Sequence, residues 1–390
     1  MCIRDSSQRS ALETNALRQP PPLFRMDESS APQLSLWDVY HVLKTCKRTS
    51  SGPGEIPYFI YKDYFDVLVP LFHHLWHRSL ERGTFPACYK FANLIPIPKI
   101  KSAKCTDDIR GISITSILAR LFERAVHRKW IAPAIMHHGD PNQFAYKKGL
   151  STVDCLLCFQ HFVLSNLDKA EVDGVHAILL DYSKAFDKVN QEKAADNYSH
   201  FIQSPHLQKW LYDFTVDRKQ RLIWNDVPMP YQAIARGCPQ GTVGGPAVFS
   251  VLTDDCRASH HTSRLFKYSD DMKCLSLCLK NPSNEEKKTL DKERSNLLSY
   301  AKEKELEVNC SKSKEMRFCL NRNPYCDCNH TSGKFETIKE AKVLGITFEV
   351  DCSFRSHCQQ LLKKLRSCLY LLTYTVIIFQ SKLFIWSSRL

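Results

Sequence analysis

"RLFKYSDDMKCLSL", residues Arg264 to Leu277, sets two adjacent carboxylates, Asp270 and Asp271, between an aromatic-containing apolar run and a second apolar run. The flanks have the pattern of two short strands with a turn between them, a buried hairpin carrying like charges at its tip. Like charges at close range raise each other's pKa and cost free energy unless a cation lies between them. A divalent metal ion is the usual solution.

Working outward, "HAILLDYSKAFDKV" (His176–Val189) is a continuous apolar run that ends in Asp181 and then starts a helix. Asp181 and Asp270 lie about ninety residues apart, yet two adjacent strands would bring them within reach of two Mg²⁺ ions, the arrangement used in nucleotidyl transfer. Paired acids also occur at Asp107 and Asp108 and at Asp254 and Asp255, where loop or helix-end positions account for them. Only the apolar flanks set the pair at 270 apart. Between the two acid-bearing segments lies "ARGCPQGTVGGPAVF" (Ala235–Phe249), whose glycines permit close backbone approach to a planar ligand before a helix begins near Pro246.

The 390 residues are ordinary in hydrophobic content, 43%, but 54 Lys and Arg against 41 Asp and Glu leave a formal charge of +13, a surface suited to a polyanion. Seventeen cysteines are scattered without the spacing of a disulfide scaffold and read as reduced thiols. Residues 1–33 are polar and Pro-rich, without a secretory h-region, and read as a disordered lead. The apolar run Cys368–Phe379 is shorter than the roughly 20 residues of a membrane span.

Periodicity predicts a helix in Leu34–Lys47, a turn at Ser50–Pro57 and one long helix over Phe59–Leu80, where His73, His74 and His77 read as part of a half-buried face. Phe91–Lys99, with its prolines, reads as an edge strand, followed by a chain that turns helical near Ser116. A charged amphipathic helix is expected over Ser283–Lys304 with Ser283 as its cap, and a strand over Lys342–Phe348. Strands interleaved with helices and no internal repeat indicate an α+β chain.

The ordered set "LLDYSKAFDKVN", "GCPQGTVGGPAVF", "KYSDDM", "NCSKSK" and "VLGITF" resembles the reverse transcriptases of LINE-type (non-LTR) retrotransposons. The likeness continues upstream through "SSGPGEIP", "GTFPACYKFANLIPIPK", "DDIRGISITSILARLFERAV" and "NQFAYKKGLST", so that it covers roughly residues 34 to 360. It implies a right-hand polymerase: fingers and palm, with an antiparallel palm sheet packed on helices, and an incomplete thumb. On this reading residues 34–78 are an N-terminal helical extension of the fingers, 79–349 the fingers and palm, and 350–390 the truncated start of a thumb. No endonuclease domain or zinc knuckle is expected to flank it.

Carried over residue by residue, the resemblance makes Asp181, Asp270 and Asp271 the catalytic acids and ligands of two Mg²⁺ ions, with Mn²⁺ as a substitute. Lys99 and Arg110 would meet the triphosphate, Arg110 by bidentate contact. Tyr182, Phe186, Gln240 and Gly241 would contact the nucleotide, the Phe186 ring excluding a 2′-hydroxyl. Lys312 would serve as general acid to the pyrophosphate. "DRKQRLIWN" (Asp217–Asn225) would touch the template without regard to sequence. RNA template, DNA primer and deoxynucleoside triphosphates are the implied partners, without a membrane, in nucleus or cytoplasm.

Two departures from the family pattern stand out. Ser269 replaces the usual alanine before the paired acids, and "IRGIS" lacks the proline of the usual Tyr-Arg-Pro-Ile-Ser, which leaves the loop carrying Arg110 freer. Cys319, Cys326, Cys328 and His330 have spacing unlike the common zinc patterns and fall in a variable loop. Two rival functions are a catalytically inactive RNA-binding remnant of a truncated element and a viral RNA-dependent RNA polymerase; "CPQGTVGG" and the absence of Gly-Asp-Asp argue against the latter.

Overall fold

The computed structural model describes residues 31–238, 241–284, 288–320 and 335–387, so the proposed disordered lead lies almost wholly outside the described residues. The described chain opens with helix α1 (Leu36–Lys44), held by a capping box in which Ser35 Oγ accepts from the Asp38 N–H and Asp38 accepts from the Ser35 N–H. The single helix expected over Phe59–Leu80 is two, α2 (Tyr58–Asp63) and α3 (Phe65–Arg82), broken at Tyr64. Tyr61 and Phe72 would be about 16 Å apart along a straight helix at 1.5 Å per residue. The break brings their rings to 6.2 Å, into one core. His73 is tied to the Leu34 carbonyl at 2.8 Å, consistent with its reading as part of a packed helix face.

The first sheet is built from β1 (Phe91–Pro98), β2 (Ile109–Thr115), β4 (Lys219–Trp224), β5 (Val227–Pro228) and β6 (Gln232–Ala233). Its strand order β2-β1-β4-β5, with β6 also on β4, makes β1 an interior strand where the prolines had suggested an edge. The reason is local. β4 pairs only with Phe91–Leu94, so Pro96 and Pro98 lie past its end, where the missing N–H groups break no ladder. Ser116 caps α4 (Ile117–Val126) by accepting from the Ala119 N–H at 3.2 Å, where the sequence placed the change from strand to helix.

The second sheet has the order β10-β9-β3-β8-β7. Its centre is β3 (Val172–Leu180), antiparallel to β8 (Asp271–Leu279) on one side and to β9 (Lys314–Phe318) on the other, with β7 (Ser263–Tyr268) and β10 (Glu336–Thr337) outermost. Alternation along β3 sends Ile178 and Leu180 into one core and Val175 and Ala177 into another. The first core is aromatic-rich, with Phe122 in ring contact with both Trp76 and Trp210, and is completed by α3, α4, α8 (Pro205–Thr215) and α9 (Gly244–Leu252), counted after α5 (Ala132–His138), α6 (Thr152–Leu167) and α7 (Gln191–Asn197). The second core packs Phe159 and Val163 of α6 on Phe266 and Phe318.

Two further expectations change. Helix α10 (Thr289–Glu303) begins six residues after Ser283, with Lys288 at its N-cap and no side-chain cap bond. Its buried positions, Thr289, Glu293, Arg294, Leu297 and Ala301, start only there, so nothing upstream would gain packing from helix. "KVLGITF" is a hairpin, β11 (Glu340–Val343) and β12 (Ile346–Glu349), turning at Leu344 and Gly345 with φ of 46° and 98°. Two positive φ values in a two-residue turn match the twist of the flanking strands. After it, α11 (Arg355–Ser387) runs as one helix with exposed Leu365, Leu369 and Tyr370. Among the described residues no helix is long and apolar enough to cross a membrane.

Candidate active site

The convergence of the acids follows from strand register. Leu180, the last residue of β3, pairs with Met272 of β8, so one step past the strand end Asp181 comes level with the tip of the β7–β8 hairpin. Tyr268 pairs with Asp271, which leaves Ser269 and Asp270 as a two-residue turn, Ser269 at φ 61°. Asp181 is held from behind: its carbonyl accepts from the Asn309 N–H at 2.8 Å, and Ser313 Oγ accepts from its N–H at 3.1 Å. Ser313 is fully buried, a positioning residue that sequence reading passed over because serine carries no pattern of its own.

Asp181 and Asp270 line one cleft of about 860 Å³. Burial, and then the neighbouring Asp270 and Asp271, push the Asp181 carboxyl above its ordinary range, while Lys312 opposes the shift. Asp270 is raised likewise by burial and Asp271, against its own backbone N–H and Ser269. A pair of half-buried carboxylates, both lifted by burial and by neighbouring negative charge, is a donor set that a hard divalent cation would stabilise.

Asp271 sits differently. It is the first residue of β8, its side chain 52% exposed and 3.4 Å from Lys273 Nζ, and it does not line the cleft. Among the described residues no three His, Cys, Asp or Glu side chains converge as a metal-binding group. Of the three expected acids two, Asp181 and Asp270, therefore line the cleft, which Asp187 and Glu307 also border, because alternation along β8 sends residue 271 to the face of Lys273. Lys273 is itself buried, its Nζ without a hydrogen-bond partner, and burial lowers its pKa.

Opposite the acids, Lys99 and Arg110 line the same cleft, Lys99 just past the end of β1 and Arg110 on β2 across from Ile97. Lys312 closes another wall. Phe186, in a short 3₁₀ turn (Ala185–Asp187), stacks on Phe249 of α9 with centroids 4.9 Å apart, and its carbonyl accepts from the Cys238 N–H at 2.9 Å. That contact needs glycine next door: a Cβ on Gly237 (φ 91°) would meet the Asp187 carbonyl oxygen at 2.8 Å. Gly241 lines the cleft and lies against the Ser113 carbonyl of β2, whereas Gln240 lies outside the described residues.

Tyr182 borders the cleft, but its ring is buried in the core, the hydroxyl donating to Met272 Sδ at 3.5 Å. Tyr146, within "NQFAYKKGLST", also lines the cleft, its hydroxyl 2.8 Å from Ser269 Oγ. Of the zinc candidates Cys319 alone is described; Cys326, Cys328 and His330 lie outside the described residues.

Residues 97–348 match the family described as reverse transcriptase (RNA-dependent DNA polymerase). The chain is 27% identical over 311 residues to a probable RNA-directed DNA polymerase from transposon BS of Drosophila melanogaster, covering 75% of this chain and 34% of that protein. It is 24% identical over 307 residues to the RNA-directed DNA polymerase from mobile element jockey of Drosophila funebris, covering 75% and 32%. A Pol polyprotein from the type-1 retrotransposable element R1 of Bradysia coprophila is 25% identical over 256 residues, covering 65% and 24%. The chain thus spans between 24% and 34% of these relatives' length. A solved structure of truncated apo telomerase from Candida tropicalis superposes with a TM-score of 0.44 at 10% identity, covering 76% of this chain and 60% of that one. A match over nearly two-thirds of the sequence, with the acids of its motifs meeting in one cleft, makes the chain a member of the reverse transcriptase family, of the kind carried by non-LTR retrotransposons.

Proposed function

We propose that this chain extends a DNA primer along an RNA template with deoxynucleoside triphosphates. One observation carries the reading: Asp181 and Asp270, from two different strands' ends, share a cleft whose other walls bear Lys99, Arg110 and Lys312. Residues 79–349 would supply fingers and palm, 34–78 a helical extension of the fingers, and 350–390 the start of a thumb. Work on nucleic acid would place the protein in nucleus or cytoplasm.

Asp181 and Asp270 would hold two divalent ions, Mg²⁺ or in its stead Mn²⁺, with Asp271 adding negative charge from beside them. Bound there, such ions favour the ionised primer hydroxyl and offset charge on the departing pyrophosphate. The remaining work falls to the chain's own groups. Arg110 and Lys99 bind the triphosphate, the guanidinium by two parallel N–H donors. The primer O3′ displaces pyrophosphate at the α-phosphorus, and Lys312 Nζ gives a proton to the leaving oxygen. Phe186, braced by Phe249, occupies the space a 2′-hydroxyl would need, and Gly241 lies against the base. Tyr182 contributes main chain to this wall while its ring stays in the core.

The test is primer extension on an RNA template with Mg²⁺, wild type beside Asp181→Asn. Extension by the wild type and none by the variant is the expected outcome. Wild-type protein that binds RNA but adds no nucleotide would make the chain an RNA-binding remnant.

A further inference from the structure

We propose that Tyr146 is a positioning residue that fixes the turn carrying Asp270 through a chain of two hydroxyls, Tyr146 and Ser269; this rests on the polymerase reading above. Tyr146 Oη and Ser269 Oγ are 2.8 Å apart, and Asp270 follows Ser269 in the two-residue turn between β7 and β8.

The rest of Ser269 is pinned from the same segment. Gln143 Oε1 accepts from the Ser269 N–H at 3.1 Å and from the Ala145 N–H at 3.1 Å. Both ends of the hydroxyl chain sit in the left-handed region, Tyr146 at φ 62° and Ser269 at φ 61°, a conformation that L side chains keep only where surrounding contacts over-determine it. Groups behind a ligating carboxylate orient it, much as they do around a metal site. Alanine at 269, the residue usual in the family, could not form the chain. Serine therefore gives this protein a control on its catalytic turn, with a half-exposed Tyr146 ring, 48% accessible, in the cleft where substrate would lie.

The test compares wild type, Tyr146→Phe, Ser269→Ala and the double variant by Mn²⁺ titration under electron paramagnetic resonance and by primer-extension kinetics. Each single change should weaken Mn²⁺ binding and lower kcat about tenfold, with nucleotide KM within about twofold. The double variant should be no worse than the weaker single, because both remove one chain. Tyr146→Phe retains the ring, and an unchanged melting temperature confirms the fold. Wild-type Mn²⁺ affinity and kcat in Tyr146→Phe, or additive losses in the double variant, would overturn the proposal while leaving the polymerase reading intact. Wild-type protein that neither binds Mn²⁺ nor extends a primer would overturn both.

Discussion

The two five-stranded sheets are buried to different degrees, and the cleft draws a different chemistry from each. In the sheet centred on β3, nearly every residue of β3 and most of β8 are buried, with a core on both faces. In the sheet containing β1 and β2 most residues are half-buried or exposed, and both Lys99 and Arg110 are exposed. Carboxylates that must share ions need positions fixed to a fraction of an ångström, which doubly covered strands provide. Cations that greet a flexible triphosphate need reach, and a half-solvated strand keeps their long side chains hydrated. The comparison teaches that substitutions in the sheet centred on β3 should strike turnover and folding, and those in the sheet containing β1 and β2 should strike substrate affinity.

The largest effect expected is that of Asp270→Asn, which should lower primer extension by about a thousandfold or more. The same change should stabilise the metal-free protein. Asp181 and Asp270 both titrate above the ordinary carboxylate value of 3.8, so the folded state holds their protons more tightly and loses stability as pH rises through that value and past it. Asparagine removes one of the two charges, and the melting temperature at pH 7.5 without metal should rise by about 2 °C, with a smaller gain at pH 4. A lower melting temperature would show that the acids are already neutralised from within.

Next comes the core behind the acids. Phe159, 1% exposed, meets Phe266, Phe318 and Phe348, and Phe159→Ala should cost about 3–5 kcal/mol in denaturant unfolding. A loss below about 1 kcal/mol would mean that this sheet relaxes as easily as the other. Paired glycines sharpen the contrast. A Cβ on Gly174 of β3 would meet the Phe318 carbonyl oxygen at 2.9 Å, a backbone atom, whereas one on Gly111 of β2 would meet only the tip of Leu94 at 2.7 Å. Gly174→Ala should therefore cost about 2 kcal/mol and Gly111→Ala under about 1 kcal/mol, and equal costs would erase the distinction. Smallest is Arg110→Ala, expected to raise nucleotide KM about tenfold with kcat and melting temperature little changed. A tenfold fall in kcat instead would put Arg110 in the chemistry and not only in binding.

Much of the site was legible because each part carries a local signature: an apolar run ending in Asp181, a charged hairpin tip at Asp270, glycines before α9, and Ser116 at a helix start. What escaped depended on backbone pairing and side-chain direction, which composition does not show. The prolines of β1 suggested an edge, but whether an N–H is needed depends on how far β4 runs alongside. "KVLGITF" has strand composition throughout, and only the pairing of Val343 with Ile346 reveals the turn. Asp271 looked like the twin of Asp270, yet strand alternation sends it to Lys273. Tyr146 had no signature at all.

The amino-acid order by itself determined which residues could carry the chemistry, since hydrophobic period, turn-forming glycines and charge are properties of neighbours along the chain. Only tertiary structure decided which of those residues meet: the register of Leu180 on Met272 and the bond from Tyr146 to Ser269 join segments far apart in sequence. Such contacts are selected by the packing of whole faces against one another. No short window of sequence contains that information.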